Sequence, residues 1–342
     1  MALGRRRTDP APIDGVDTIL ADLDGVVYTG PGAIPHAVEA LERARASARV
    51  GYITNNASRT DATVAEHLTG LGLTVVPSDV VTSPQAAVRL LADLVPAASV
   101  ILVVGGDGLV AEVEKAGFRV TRSADDAPAA VVQGFAPHVG WEQLAEAAFA
   151  LQGEHAERPW VATNTDWTIP VARGIAPGNG TLVSAVHTAV GRLPRVAGKP
   201  ETPMFTLAVE RFGATHALVV GDRLDTDILG ANRAGLASAH VLTGVDRVKQ
   251  LLAAVPDQRP TFVLEHLGQL FEPYPAAETA ERRDVVTTRV AGAEIERRGD
   301  TLTVTRAGDR RIDLVRAGAA AIWGSGIPIY GLRVPAELYS DA

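Results

Sequence analysis

Up to about residue 271 the chain alternates two patterns: short apolar runs that end in polar turns, and longer stretches with apolar residues three or four apart. "VDTILADLDG" and "RVGYITNN" read as buried strands. "AVEALERARAS" and "TDATVAEHLTGLG" read as helices, the second with a Thr/Asp start and a Gly stop. "HALVVGDR", "TDILGANRAG" and "ASAHVLT" repeat the order strand, helix, strand. This rhythm predicts an α/β fold, a doubly wound parallel sheet of Rossmann-like form with helices on both faces. Its two parts fall at 12–81 and 192–271. Between them, 82–191 has strands and helices of its own ("VILVVGG", "AAVVQGF", "PWVATNT"; "WEQLAEAAFALQ", "TLVSAVHTAVGR") and reads as an inserted α/β unit. "EPYPAAETAERRD" then reads as a linker. The Thr/Val/Ile alternation after it, broken by Gly-Asp turns, predicts a small, mainly antiparallel β domain over 275–342.

Composition narrows the classes. The chain has 342 residues, 46% hydrophobic and 21% charged, with a net charge of −8. That balance supports a sizeable core and disfavours a general binder of nucleic acid or anionic membrane. No stretch of ~18 apolar residues is present to span a bilayer. The start, "MALGRRRTDPAPIDG", lacks the apolar segment of a signal peptide, so a cytoplasmic protein is expected. With no cysteine there is no disulfide, zinc thiolate or thiol nucleophile. Lys115, Lys199 and Lys249 are the three lysines among 32 basic residues, so positive charge is otherwise written as Arg.

Candidate chemistry begins at "ILADLDGVVY", where Asp22 and Asp24 close an apolar run. Gly25 predicts that the strand has ended and the chain is turning. Ionised and unpaired, two such carboxylates repel and resist burial. A divalent cation can neutralise them, or one can hold a proton; a solvated surface turn is the competing reading. Both remedies suit phosphoryl transfer. One Asp attacks phosphorus, the other protonates the departing alkoxide and then activates water, and magnesium bridges the nucleophile and a phosphoryl oxygen. Three more stretches offer the missing parts. "YITNNAS" ends a strand with Thr54, Asn55 and Asn56, whose hydroxyl, amides and N–H groups can hold phosphate oxygens. "VAGKPET" presents Lys199, a compact point charge. "VVGDRLDTDILGAN" places Asp222 at a strand end as a magnesium ligand. Asp227 can orient water or Lys199, and Asp225 can cap the next helix. Ligands bind parallel sheets at such strand ends.

In combination and order, "DLDGVVY", "YITNNASRT", "AGKP" and "GDRLDTDILGA" resemble the four motifs of the haloacid dehalogenase-like phosphatases, over about residues 15–270. "VVGGDGLVAEVEKAGF" and "VATNTDWTIP" are similar to the subgroup with a large α/β cap between the second and third motifs, which makes 82–191 the cap. That subgroup includes phosphatases of phosphoglycolate, nitrophenyl phosphate, pyridoxal phosphate, nucleotides and glycerol phosphate. The resemblance implies Asp22 as nucleophile and Asp24 as acid/base. It implies Asp22, the Asp24 carbonyl and Asp222 around Mg2+, and Thr54, Asn55, Asn56 and Lys199 on the phosphate. It also implies a small phosphorylated metabolite as substrate, with glycerol 3-phosphate favoured because bacterial members acting on it can carry such a tail, and a homodimer through the cap. A metabolite-sensing or partner-binding module led by the tail is the alternative of another class.

Weaker signals remain. "TNTDWTIPVARGIAPGNG" (163–180) is the expected specificity loop, with Asn164, Asp166 and Arg173 as leaving-group contacts. "VVGGDGLV" lacks the Gly-x-Gly-x-x-Gly spacing of a dinucleotide site and reads as a turn. "VRAGAAAIWGSG" faintly resembles an acetyltransferase pyrophosphate loop, but the pattern is incomplete. Trp141, Trp160, Trp167 and Trp323 read as packing residues.

Overall fold

The computed structural model describes residues 9–57, 59–171 and 173–339. The basic start up to Thr8, Ser58 of the second motif and Ala172 of the expected specificity loop lie outside them. The chain forms two compact units, Met1–Val50 with Thr215–Ala342, and Gly51–Ala214. Among the described residues no helix is long and apolar enough to cross a membrane.

In the first unit, four parallel strands lie in the order Phe262–Leu264, Ala237–Val241, Ala217–Gly221, Thr18–Ala21. Thr18–Ala21 and Ala217–Gly221 are buried throughout, as expected of near-continuous apolar runs covered on both faces. Asp17 O accepts from Arg49 N–H at 2.8 Å, at the start of the strand Arg49–Thr54.

The tail belongs to the same unit. Glu278–Arg282, Val285–Val290, Ala293–Arg298 and Thr301–Arg306 form a consecutive antiparallel sheet. The supposed linker contributes the exposed first strand of that sheet, which corrects the sequence reading. "VRAGAAAIW", whose pyrophosphate-loop pattern is incomplete, forms most of a helix, Arg311–Trp323. Leu314, Ala317 and Ile322 pack with Val290, Ile295 and Leu302 of the antiparallel sheet. Ile312 and Val315 pack with Ile228, Leu251 and Val263 of the parallel-sheet region. A helix covered on two sides is apolar nearly all round, so it lacks the 3.6-residue signal that marks a surface helix.

The second unit carries its own parallel sheet, in the order Arg195–Val196, Trp160–Ala162, Ala130–Gln133, Val100–Val104, Arg119–Thr121. The helices Trp141–Ala150 and Asn179–Val190 cover it through Ala147, Val183 and Val186. Gly105 and Gly106 make the turn from Val100–Val104 into the helix Asp107–Lys115. The strand Arg49–Thr54 pairs in parallel with Val80–Thr82. Within the expected specificity loop, Thr168–Val171 and Gly174–Pro177 form an antiparallel hairpin. Of the four tryptophans, Trp160 is buried and Trp323 partly so, but Trp141 and Trp167 are 79% and 66% exposed, so these two are not packing residues within the chain.

Candidate active site

Strand register sets the first half of the site. Ala21 lies opposite Val220, and Asp22 N–H donates to Val220 O at 2.8 Å. Asp22 and Asp222, each the first residue after its strand, therefore emerge at the same sheet edge. One carboxylate oxygen from each of Asp22, Asp222 and Asp227 lies within 4.8 Å of the others, and all three residues are buried. Asp227, expected to orient water or Lys199, is the third member of this cluster.

Glycine makes the room. Gly25 turns the chain with φ of 82°, and a side chain there or at Gly244 would run into the Asp222 carboxylate. Val245 N–H donates to Asp222 Oδ2 at 2.6 Å, and Arg223 N–H donates to Asp227 Oδ2 at 3.1 Å. Leu224 N–H donates to Asp246 Oδ2 at 2.7 Å and ties the loop after Val241 to the segment carrying Asp227. Burial pushes the Asp246 carboxyl up from its ordinary range. Three buried carboxylates in one small volume are hard oxygen donors of the type magnesium takes, and their mutual repulsion falls when a dication joins them. The residues present therefore fit the expected ion.

Asp24 leaves the strand line. Leu23 O accepts from Val27 N–H at 2.8 Å and Gly25 N–H donates to Tyr28 O at 2.9 Å, closing a tight turn. Asp24 is exposed on it, with the Tyr28 hydroxyl 3.5 Å from its Oδ2. The two aspartates thus have different surroundings, which is what a nucleophile and an acid/base require.

The second unit assembles Thr54, Asn55, Asn56 and Lys199. Thr54 ends its strand, and its Oγ1 accepts from Asn56 N–H at 3.1 Å, which leaves the hydroxyl proton to donate elsewhere. The Asn55 side chain clamps Lys199: Oδ1 accepts from Lys199 N–H at 2.9 Å and Nδ2 donates to Lys199 O at 3.0 Å. The same Nδ2 donates to Asp166 Oδ1 at 3.1 Å. Lys199 is 3% exposed, and Gly198 has the Thr163 carbonyl and Asn55 Oδ1 where a side chain would stand.

Asn164 Nδ2 donates to Asn55 O at 2.8 Å, its Oδ1 accepts from Asp166 N–H at 3.2 Å, and its carbonyl accepts from Asn179 Nδ2 at 2.7 Å. Asn164 is buried, so the structure makes it a brace of the Asn55 turn. Arg173 is exposed at the tip of the hairpin. Asp225 does not cap the following helix; its carboxylate pairs with the Arg223 guanidinium at 2.9 Å. Sequence reasoning missed Tyr28, Asp246, Asn179 and the Gly244–Val245 turn. "LTGVD", directly after a strand, is the signal that marked the last.

The chain matches the model of haloacid dehalogenase-like hydrolases over residues 19–119 and a second model of HAD-like hydrolases over 196–270. D-glycerol 3-phosphate phosphatase of Mycobacterium tuberculosis is 43% identical over 315 residues, 90% of this chain and 86% of that protein. Human chronophin is 37% identical over 273 residues, 74% of this chain and 92% of its own length. The crystal structure of the M. tuberculosis glycerol phosphate phosphatase in complex with magnesium superposes with a TM-score of 0.83 at 42% identity, covering 92% of this chain and 93% of that one. The chain belongs to the haloacid dehalogenase-like hydrolase family. It is a phosphoric monoester hydrolase, and its M. tuberculosis relative is a phosphatase of D-glycerol 3-phosphate.

Proposed function

We propose that the protein is a magnesium-dependent phosphomonoesterase that hydrolyses glycerol 3-phosphate in the cytoplasm through an aspartyl-phosphate on Asp22. The observation that carries the chemistry is the buried cluster of Asp22, Asp222 and Asp227 in its glycine-lined recess. The choice of glycerol 3-phosphate rests on the relative whose similarity spans 90% of the chain, whereas chronophin matches 74%.

Asp22, Asp222, Asp227 and the Asp24 carbonyl would hold the magnesium ion. When bound, it neutralises carboxylate charge and withdraws electron density from the phosphoryl group. An Asp22 oxygen attacks phosphorus as the bond to the glycerol oxygen breaks, and Asp24 gives that oxygen its proton. Asp24 then takes a proton from water, the water oxygen attacks phosphorus, and the bond to Asp22 breaks to release phosphate. Lys199 balances the phosphate charge, and Thr54 and the backbone N–H groups of Asn55 and Asn56 donate to its oxygens. The Asn55 side chain acts by holding Lys199, and Asn164 and Asp166 act by holding Asn55. The motif resemblance supports assigning both sets to one phosphate. A homodimer through the inserted unit completes this reading, with Trp141 and the 58% exposed Phe149 as surface that a second copy would cover.

The test is turnover by wild type and Asp22→Asn across glycerol 3-phosphate, phosphoglycolate, a nucleoside monophosphate and pyridoxal phosphate, with and without magnesium. Glycerol 3-phosphate should give the highest kcat/KM. Asp22→Asn should fold normally and lose at least a thousandfold in kcat; near wild-type turnover would remove the assignment.

A further inference from the structure

A second cavity, of about 830 Å3, lies where the tail helix meets the parallel-sheet region, wholly within the first unit. None of the three clustered aspartates lines it. Its walls are apolar in part, through Ile34, Leu242, Val248, Ile312 and Val315. Its charged groups are Arg247, Arg311 and Glu265, with His36 and His266 stacked at 4.3 Å between ring centroids. The Arg247 guanidinium donates to Leu242 O and has no carboxylate partner among the described residues. Arg311 donates to Glu337 O. The Glu265 carboxylate lies 3.5 Å from Gln269 Nε2. The His266 Nδ1 atom is buried without a hydrogen-bond partner. Two guanidinium groups against one carboxylate favour an anion, and the apolar walls favour a ligand with a hydrocarbon body.

Two of the cavity's walls are the outer faces of the loops that hold the acids. Thr243 and Arg247 flank the Gly244–Val245 turn that carries the Asp222 contact, and Thr243 Oγ1 donates to Gly25 O at 2.7 Å. Thr29 and Gly32 belong to the hairpin that begins at Tyr28, the neighbour of Asp24.

We propose that this cavity is an effector site: Arg247 and Arg311 bind the carboxylate or phosphate head of a small organic anion, its apolar body lies against the tail helix, and occupancy shifts the loops that hold Asp222 and Asp24. A ligand that binds two loop arrangements unequally changes their populations by that difference.

The test is calorimetric titration of the full-length, magnesium-loaded protein with octanoate, octylphosphonate and octylammonium. The anions should bind at one per chain and octylammonium should not; the better anion identifies the head group. The double variant Arg247→Gln/Arg311→Gln should weaken anion binding at least tenfold with little change in thermal midpoint. Ala33→Trp, at the exposed lip, should weaken it as well and serves if the double variant fails to fold. Saturating anion should change glycerol 3-phosphate turnover at least threefold in wild type and leave the double variant unaffected. Undiminished anion binding in these variants, or equal binding of octylammonium, overturns the site. Unchanged turnover with the cavity filled overturns the effector role. Binding is read as heat, so a protein inert toward glycerol 3-phosphate would strike the proposed function and leave the binding result standing.

Discussion

At the scale of single residues, the site depends on side chains that hold other groups in place. Asn55 donates to the Lys199 carbonyl through its amide nitrogen and accepts from the Lys199 N–H through its amide oxygen. Asn55→Ala removes both bonds, at a cost of about 1–3 kcal/mol for each buried backbone group that loses its partner. If Lys199 meets the phosphate, kcat/KM for glycerol 3-phosphate should fall 10- to 100-fold, and steady-state kinetics check this. His240 is fully buried, with Nε2 3.1 Å from Asp246 O. Burial lowers its pKa from 6.5 to about 4, against the opposing effects of that carbonyl and the Asp227 charge. The folded protein therefore binds fewer protons than the unfolded chain between these values, so stability is full above pH 6.5 and lost as pH falls toward 4. By pH 5 the loss should be about 2 kcal/mol. Urea unfolding of wild type at pH 7.5 and 5.0 should show it, and His240→Gln should show a smaller difference.

At the scale of elements, the sequence was legible where an element has one exposed side or a sharp end. The helix Asp61–Gly70 announced itself by Thr60, whose Oγ1 accepts from Thr63 N–H at 3.2 Å. The antiparallel strands announced themselves by alternation. The helix Arg311–Trp323 did not, because both its faces are covered. Of its three charged residues, Arg311, Asp313 and Arg316, the last is buried at 6% exposure. That guanidinium donates to Val263 O at 2.9 Å, Asp313 Oδ1 at 3.1 Å and Gln269 Oε1 at 3.3 Å, and lies 4.2 Å from the Tyr274 ring centroid. Burial pushes the Arg316 pKa down and the neighbouring Tyr274 phenol up. Arg316→Ala leaves Asp313 buried without this partner and should cost about 3–5 kcal/mol, read as a lower midpoint in thermal or urea unfolding. The tail thus has a structural part, so a partner-recruiting module detachable at residue 275 is disfavoured.

At the scale of the whole molecule, the motif residues were readable because chemistry restricts them. Two acids beside a glycine, a lone lysine and a third acid admit few bland explanations. The residues that position them were not, because Asn164, Asn179 and Gly244 act through contacts 15 to 109 residues away along the chain. Burying three clustered acids in a chain of net charge −8 also predicts a linked stability. An ion that binds the folded form and not the unfolded one stabilises it by mass action. Magnesium at 100 times its Kd should add about 2.7 kcal/mol, and EDTA should reverse it. Asp222→Asn should abolish the rise in thermal midpoint with added magnesium, measured by calorimetry.

The pairing of Ile19 with Leu218 has a further consequence during synthesis. The strand Thr18–Ala21 leaves the ribosome well ahead of its neighbour Ala217–Gly221, which follows almost 200 residues later. At about 5–20 residues per second that is a wait of roughly 10–40 seconds. Residues 51–214 are contiguous and form a compact unit of their own, so they can fold during the interval. The edge of Thr18–Ala21 that Ala217–Gly221 will cover must meanwhile stay unpaired, and the nascent chain is most open to chaperone capture just before residue 221 emerges.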